Sequence, residues 1–269
     1  MTDTLASAER LISILLLFSE EKPAWSSDQL MRATGYSRTS LYRYLKTLKD
    51  TGLIVSLPQH GYMLGPRLTE LDYLMQRSDP IILHGRRYLR GLAENIPCSA
   101  FLTRWYEQKI LCVASEVSAP RPRSSYPRGR PMPLGRGAIS RAILAHLPKR
   151  QRAAMIAQYL PDFQQLKLGL DIEEVEAVFR QIRRQGYAIA YGEVTPGVVG
   201  IAAPILVAPM TPVAALCISL EGKETAASQL QDFAKSVRRS ADDISQILQN
   251  QFASEGQRAG ARTSQLEKV

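Results

Sequence analysis

The chain contains 269 residues, of which 45% are hydrophobic and 22% charged, and its formal net charge is +9. This composition is typical of a globular protein, and the length exceeds that of one small module, so we expect two domains. The sequence shows neither a signal peptide nor an apolar run of about 18 residues, which argues against export and membrane insertion and predicts a cytoplasmic protein.

Three helices are predicted near the N-terminus. The first covers residues 5–19, and its apolar side chains would pack behind the other two helices: Leu5, Ala8, Leu11, Ile12, Leu15, Leu16 and Phe18. A short amphipathic helix over residues 27–34 stops at Gly35, and a longer one over residues 37–50 stops at Gly52. Two helices joined by so short a turn form a helix-turn-helix, which can place its second helix in a DNA major groove.

The helix over residues 37–50 has one apolar and one polar face. Leu41, Leu45 and Leu48 follow the i, i+4, i+7 spacing of a buried stripe. The other side carries hydroxyls and cations, and Ser37 is a suitable N-cap where the helix end can meet a phosphate. Such side chains suit phosphates and base edges. The predicted DNA-contacting residues are Ser26, Ser37, Arg38, Thr39, Ser40, Tyr42, Arg43, Lys46 and His60.

A β-hairpin is predicted directly after this helix. Two strand-like segments, residues 53–57 and 61–64, are joined by Pro58-Gln59-His60. Together with the helices they make residues 1–65 a winged helix-turn-helix domain, whose expected partner is double-stranded operator DNA. Basic helix faces also occur in proteins that never bind nucleic acid. A sensor or scaffold protein that uses the winged helix for protein contacts is therefore one alternative.

Two more amphipathic helices are predicted over residues 66–77 and 81–95. The first would connect the two domains and also pair subunits, and we assign residues 66–84 to a linker helix. Its apolar residues are Leu68, Leu71, Tyr73, Leu74 and Met75.

Beyond the linker, strand-like and helix-like segments alternate irregularly. Strands are predicted at residues 99–106, 109–116, 187–194, 198–207 and 213–221, and helices at residues 136–146, 149–159, 172–185 and 225–251. Helices grouped around a mainly antiparallel sheet form an α+β domain, here residues 85–252. The polar tail, residues 253–269, is expected to be flexible.

The positive charge is unevenly distributed along the chain. Residues 1–65 hold seven Lys/Arg and six Asp/Glu, whereas residues 117–161 hold nine Lys/Arg and no acid. The stretch from Arg121 to Arg136 is either a solvated loop or a surface that attracts an anionic small molecule, DNA or another subunit.

Cysteine and histidine usage gives no metal or redox pattern. Cys98, Cys112 and Cys217 are widely separated and lack C-x-x-C spacing, which predicts reduced, buried thiols. The three histidines form no metal-ligand motif, so neither a metal nor another cofactor is expected.

An enzyme, in the form of a small-molecule hydrolase, is the second alternative. The sequence lacks Gly-x-Ser-x-Gly, a P-loop and the dinucleotide-binding glycine pattern. Glu193 lies within a motif, and for it a buried glutamate satisfied by backbone donors is favoured over a general base. We therefore expect no catalytic activity.

The sequence resembles the IclR (isocitrate lyase regulator) family of bacterial transcriptional regulators over residues 5–250. Besides the winged helix, the likeness rests on Gly186-Tyr187, Glu193, Gly197 and Ile201-Ala202-Ala203-Pro204-Ile205 and, more weakly, on Pro133-Leu134, Ala138 and Ala142-Ile143-Leu144-Ala145. The resemblance implies a GAF-like effector domain that binds a small metabolite, often a carboxylate. It also implies a homodimer or a dimer of dimers on operator DNA.

Several positions depart from the family pattern. Ala190 and Gly200 stand where some relatives have an acid and a cysteine in the pocket, and Ser140-Arg141 replaces the usual Gly-Lys. These changes favour a roomier, less acidic cavity, so we hypothesise an aromatic or other medium-sized organic acid. Arg136 or Arg130 would supply the counter-charge.

The expected ligand contacts include backbone N–H groups at the start of the helix that follows Arg136. Gly197 and Gly200 either let the backbone approach the ligand or serve a turn or bulge. The predicted effector-binding residues are Arg130, Arg136, Gly137, Ala138, Ile139, Ala190, Gly200, Cys217 and Ser219.

Overall fold

The computed structural model describes residues 2–118, 127–207, 211–222 and 225–266. The chain divides into two compact units, Met1–Asp79 and Pro80–Val269. The predicted linker, residues 66–84, spans this division, because one helix ends at Ser78 and the next begins at Pro80.

The first unit combines short helices with a small sheet. Its elements are α1 (Thr2–Leu15), β1 (Ala24–Trp25), α2 (Ser27–Thr34), α3 (Arg38–Asp50), β2 (Ile54–Leu57), β3 (Gly61–Leu64) and α4 (Pro66–Ser78). Helices α2 and α3 form the predicted helix-turn-helix, and β2 and β3 form the predicted hairpin. Strand β1, too short to be recognised in the sequence, pairs antiparallel with β3.

Local hydrogen bonds determine where α2 and α3 begin. Ser26 and Gln29 form a capping box, in which each backbone N–H donates to the other's side chain, at 3.0 and 3.2 Å. Helix α2 ends at Gly35, whose φ of +69° lies in the left-handed region that glycine adopts without strain. Ser37 then caps α3 by accepting the Ser40 N–H. The turn between the two helices is therefore encoded by residue types on either side of it.

The core of the first unit lies between the three N-terminal helices and the wing. The predicted stripe of α3 is confirmed, since Leu41, Leu45 and Leu48 are buried, and Tyr44 joins them. The other buried residues of this core are Ile14, Trp25, Leu30 and Ile54.

Helix α1 packs through a face that only partly matches the predicted one. Its inward-facing stripe, which continues past the helix end, consists of Leu11, Ile14, Leu15 and Phe18. Ile12 and Leu16, which we expected to be buried, are 48% and 77% exposed. All residues from 11 to 18 except Ser13 are apolar, so the pattern does not define a single face, and the predicted stripe was partly wrong.

The second unit is built on a single antiparallel sheet. Its elements are α5 (Pro80–Asn95), β4 (Ser99–Tyr106), β5 (Lys109–Val117), β6 (Pro131–Met132), α6 (Gly137–Leu144), α7 (Lys149–Gln158), α8 (Leu160–Gln165), α9 (Ile172–Gln185), β7 (Ala188–Tyr191), β8 (Val198–Val207), β9 (Thr211–Glu221) and α10 (Ala227–Leu266). The strand order is β6-β5-β4-β9-β8-β7, with antiparallel pairing throughout. The predicted α+β class with a mainly antiparallel sheet is confirmed.

Helices cover both faces of this sheet. Ile201 and Ala203 of β8 belong to a core with α5 and α10, whereas the intervening Ala202 belongs to a second core with α6, α7 and α9. This alternation follows from the two-residue period of a strand. Each helix layer therefore packs against its own set of strand side chains.

Some predicted boundaries differ from the structure. Strand β7 ends at Tyr191 rather than at residue 194, because Gly192 with a φ of +66° turns the chain. Helix α10 continues to Leu266, beyond the predicted helix end at residue 251, and the flexibility of residues 253–269 stays a prediction. The tail is rich in Ala, Gln, Glu and Arg, whose helix propensity outweighs that of its glycines. Within the described ranges, no helix is both long and apolar enough to cross a membrane.

We predict that Leu45→Ala lowers the free energy of unfolding of the first unit by about 2–5 kcal/mol, because it leaves a cavity in the core. Leu45 is 1% exposed. The matched control, Leu57→Ala, removes a side chain that is 42% exposed and should cost less than about 1 kcal/mol. Urea unfolding followed by Trp25 fluorescence, in a Trp105→Phe background, measures both. Equal losses would contradict the assigned core.

Candidate functional site

The candidate DNA-reading surface is the exposed side of α3. Tyr42 and Arg43 are adjacent, and each lies three or four residues from Thr39 and from Lys46, so the four side chains share one helix face. All four are exposed, whereas the opposite face carries the buried leucines. Arg38 is also exposed, one turn before Tyr42.

The cations of this surface contact aromatic groups. The Arg38 guanidinium lies 5.7 Å from the centre of the Tyr42 ring, and Arg43 Nη2 lies 3.5 Å from the Tyr44 hydroxyl. Among the residues that the structure describes, Arg38, Arg43 and Lys46 form no ion pair. Cations without an acidic partner beside hydroxyl groups are suited to DNA phosphates and base edges.

The predicted serines of this surface also have structural roles. Ser26 and Ser37 cap α2 and α3, and the Ser37 hydroxyl donates to Ser40 Oγ at 3.1 Å. Ser40 is half-buried, whereas Ser26 and Ser37 are exposed. His60 is exposed in the turn between β2 and β3, where its backbone N–H donates to the Leu57 carbonyl. The structure thus places the predicted residues at the start of α2, along α3 and at the wing tip.

In the second unit, a cavity lies over small side chains of the sheet. The strand register places Ala190 of β7 beside Gly200 of β8, and Gly200 beside Ser219 of β9. Three neighbouring strands therefore present side chains no larger than serine along one line. The space between this line and α6 is a cavity of about 530 Å³, including its open mouth.

Most of the predicted effector-binding residues line this cavity. They are Arg136, Gly137, Ala138, Ile139, Ala190, Gly200, Cys217 and Ser219. Arg130 does not line it. It is exposed ahead of the edge strand β6, where its carbonyl accepts the Cys112 N–H, and Met132 and Pro133 lie between it and α6. Arg130 is therefore not placed to serve as the counter-charge.

Arg136 lines the cavity but already has an acidic partner. Its Nη2 lies 2.5 Å from Asp162 Oδ1, and the two side chains are 39% and 31% exposed. An ion pair at this exposure contributes about 0–1 kcal/mol, so water and other anions compete with it readily.

A buried ion pair borders the same cavity. Arg141 Nη2 donates to Glu193 Oε1 at 2.6 Å, and the Gly137 N–H donates to Glu193 Oε2 at 2.8 Å. The Arg141 and Glu193 side chains are only 6% and 11% exposed. Burial lowers the pKa of the Arg141 guanidinium from its ordinary value, and the nearby Glu193 charge opposes that shift.

This pair changes two expectations. Glu193 lines the cavity, which is therefore less free of acids than the alanine at position 190 implied. The Gly137 N–H, predicted as a donor to the effector, is already hydrogen-bonded to Glu193. The sequence predicted backbone donors for Glu193 but did not predict its ion pair with Arg141. Arg141 was noted only as a departure from the family pattern.

The loop between β7 and β8 carries Glu193. Glu193, Val194 and Thr195 line the cavity, and the loop is flanked by Gly192 and Gly197, with φ values of +66° and +79°. A turn therefore accounts for Gly197. At Gly200 an added Cβ would meet Ala138 Cβ at an ordinary 3.6 Å, so its lack of a side chain mainly widens the cavity.

Cys217 forms part of the cavity wall. The three cysteines are free and buried, as predicted. Burial raises the pKa of Cys98 to about 12 and that of Cys112 to about 11, and it raises the pKa of Cys217 further still. Within the described part of the chain, no group of three or more His, Cys, Asp or Glu residues could hold a metal ion.

The acid-free stretch, residues 117–161, finds its counter-charges further along the chain. Arg136 and Arg141 pair with Asp162 and Glu193, as described above. Arg152 Nε lies 2.7 Å from Glu176 Oε2, and the other oxygen of Glu176 lies 2.8 Å from Nη2 of Arg183, which is outside this stretch. Residues 119–126, which include Arg121 and Arg123, lie outside the described residues. The prediction for that loop is therefore not tested.

The comparison with known families agrees with the two domains. Residues 75–246 match the family model described as bacterial transcriptional regulator IclR C-terminal, and residues 10–63 match an HTH domain model. The chain is similar to the HTH-type transcriptional regulator XynR of Escherichia coli K12. The two are 25% identical over 245 residues, which cover 90% of this chain and 96% of that protein.

Solved structures share the fold. A protein of Rhodococcus sp. RHA1 superposes with a TM-score of 0.75 at 24% identity, covering 90% of this chain and 97% of that chain. An IclR homologue from Microbacterium hydrocarbonoxydans, crystallised with 4-hydroxybenzoate, superposes with a TM-score of 0.73 at 17% identity, covering 89% and 98%. At these identities the likeness establishes the fold alone.

We predict that Arg141→Met lowers the free energy of unfolding of the second unit by about 3–5 kcal/mol, because it leaves the Glu193 carboxylate buried without a cation. Adding Glu193→Gln should recover most of that loss. Urea unfolding of the wild type, both single variants and the double variant gives the coupling energy. Strictly additive losses would show that the two charges do not depend on each other.

We also predict that the folded protein resists iodoacetamide at pH 8. The thiolate is the reactive form, and burial raises the pKa of Cys112 to about 11 and that of Cys98 to about 12. Mass spectrometry should find unmodified thiols in buffer and three modified thiols in urea. Rapid labelling of Cys217 in the folded state would contradict its buried position.

Proposed function

The chain belongs to the IclR family of bacterial transcriptional regulators, and from this premise we propose that its second unit senses a small organic acid and thereby changes operator affinity. Helix α3 reads the major groove of double-stranded operator DNA in the cytoplasm, and the cavity beside α6 holds the effector. The observation that carries the proposal is the cavity, because a constitutive DNA-binding protein has no use for one.

The exposed face of α3 supports the DNA-binding role. Thr39, Tyr42, Arg43 and Lys46 point away from the core on one side of the helix, with Ser37 at its positive end. In a helix-turn-helix, the N-terminal part of the second helix contacts base edges, and the wing can reach the adjacent backbone. Of the two cations on that face, Arg43 lies closer to the N-terminal end of α3 than Lys46, and we assign it to a guanine edge.

The cavity supports an organic acid of medium size. Phe101, Met132, Val194 and Val198 give the cavity a largely apolar wall, and Arg136 adds a cation at its edge, as is common in sites for small organic molecules. An aromatic ring suits such a wall. The IclR homologue that was crystallised with 4-hydroxybenzoate shares this fold, and an aromatic acid is therefore the effector that we propose.

Helix α4 supports assembly as a homodimer or a dimer of dimers. None of its described side chains is buried. This holds even for the apolar residues Leu71, Leu74 and Met75, which are 38%, 54% and 47% exposed. An apolar helix face left uncovered in one chain is suited to pairing with a second chain. Paired α4 helices would set the spacing of two α3 helices on DNA, and an effector that changes this spacing changes DNA affinity. By linkage, DNA must then change effector affinity by the same factor.

We predict that Arg43→Ala weakens operator binding by about 1–3 kcal/mol through loss of a base contact. The matched control is Arg180→Ala, which removes the same charge from an exposed position on α9 and should have a smaller effect. Gel-shift titrations against the upstream region of the protein's own gene, at fixed salt, measure both. An unchanged affinity of the Arg43 variant would remove α3 from the interface.

The two alternatives make different predictions in the same assays. A scaffold protein would retain no DNA fragment at moderate salt, and a hydrolase would turn over simple esters or amides. Repeating the titration with 4-hydroxybenzoate, benzoate and pyruvate tests the sensing role. A larger response to pyruvate than to the aromatic acids would contradict the proposed effector class.

A further inference from the structure

The anion position at the start of α6 is occupied by the protein's own carboxylate. We propose that Glu193 is an internal stand-in for the effector. The organic acid binds by replacing the Glu193 carboxylate at the Gly137 N–H and Arg141, and Glu193 moves out with its loop. The inference rests on the proposed function, since it concerns the same cavity, and it specifies how an acid is recognised there.

The contacts of Glu193 are those that a ligand carboxylate would make. One oxygen accepts a backbone N–H at the start of a helix, and the other accepts from a guanidinium. Glu193 lines the cavity and Arg141 does not, so the Glu193 carboxylate separates this cation from the cavity. An acid that enters while Glu193 stays in place would meet a negative charge before it reached Arg141.

The guanidinium of Arg141 is only partly satisfied. Its Nη2 donates to Glu193 Oε1 and to the Ile189 carbonyl, whereas its buried Nε has no hydrogen-bond partner among the described residues. Nε and Nη2 lie on one edge of the guanidinium, the edge that binds a carboxylate with two parallel hydrogen bonds. A carboxylate that is not tethered to the loop can occupy both donors, which favours exchange.

Exchange is also favoured over binding of both carboxylates together. Two like charges that share one buried cation repel each other, and replacement of one carboxylate by another leaves the net charge of the site unchanged. The displaced side chain has a short path to water. Its neighbours Gly192 and Val194 are exposed, and Gly192 and Gly197 at the two ends of the loop allow large backbone rotations.

Calorimetry with the full-length protein tests the exchange. The probes are 4-hydroxybenzoate, benzoate and pyruvate, and the variants are Glu193→Gln and Glu176→Gln. We expect Glu193→Gln to bind the preferred acid on the order of tenfold more tightly than the wild type, because the amide competes weakly for Arg141 and carries no charge. Glu176 is also held by two arginines but does not line the cavity, so Glu176→Gln should leave affinity unchanged.

Unchanged affinity in Glu193→Gln would overturn the proposal and indicate that the acid binds at Arg136 with Glu193 in place. Weaker binding would also overturn it, because Glu193 would then be a direct ligand contact. Arg136→Ala separates these two cases, since it should weaken binding only if Arg136 supplies the counter-charge.

A second measurement does not depend on the identity of the effector. Glu193→Ala vacates the position at Arg141, so acetate should raise its melting temperature above that in chloride at equal ionic strength, and the rise should be larger than in the wild type, where acetate must displace Glu193. If Glu193→Ala does not fold, the Glu193→Gln titration decides the matter. No acetate response in a folded Glu193→Ala would overturn the exchange. An acetate response without any effect of acids on DNA binding would instead overturn the sensing role alone.

Discussion

The ion pair between Arg141 and Glu193 is the contact on which the second unit depends. Both side chains are almost removed from water, so neither charge is tolerable without the other. Through Glu193 the pair connects three places, namely the first residue of α6, the middle of α6 and the loop between β7 and β8. One carboxylate therefore determines where the loop lies over the cavity and whether the start of α6 can accept another anion.

The cavity itself follows from side-chain size on a regular sheet. Along β8, Val199 and Ile201 face α5 and α10, while Gly200 and Ala202 face α6. The large residues fill the first interface, and the small ones leave room in the second. Because successive side chains point to opposite faces of a strand, one run of residues encodes both the filled interface and the cavity. The sheet is thus tightly packed on one side and borders a cavity on the other.

Local patterns predicted the elements, whereas pairings between distant residues could not be predicted. The leucine stripe of α3 and the strands Ser99–Tyr106 and Val198–Val207 agree with the structure because burial repeats at a fixed interval within each. The prediction of which face of α1 points inward was partly wrong, because the apolar residues of this helix cover more than one face. The residues that line the cavity were predicted from the family resemblance. A resemblance indicates which sequence positions belong to a site but not which side chains contact each other. Arg141 and Glu193 are 52 residues apart, so no local pattern connects them.

Net charge and charge placement lead to different conclusions about DNA. The value of +9 suggests a polyanion partner, yet residues 1–65 have seven cations and six acids and so contribute a net charge of only about +1. What distinguishes residues 1–65 is that four of the seven cations lie on α3, whereas only one of the six acids, Asp50 at the helix end, lies there. In the second unit, Arg136, Arg141 and Arg152 are each paired with an acid of the same unit. An acid that exchanges for Glu193 keeps the net charge of the site around Arg141 unchanged. On the proposed function, the effector acts on DNA affinity through the spacing of two α3 helices, because the exchange takes place in the second unit and involves no cation of α3.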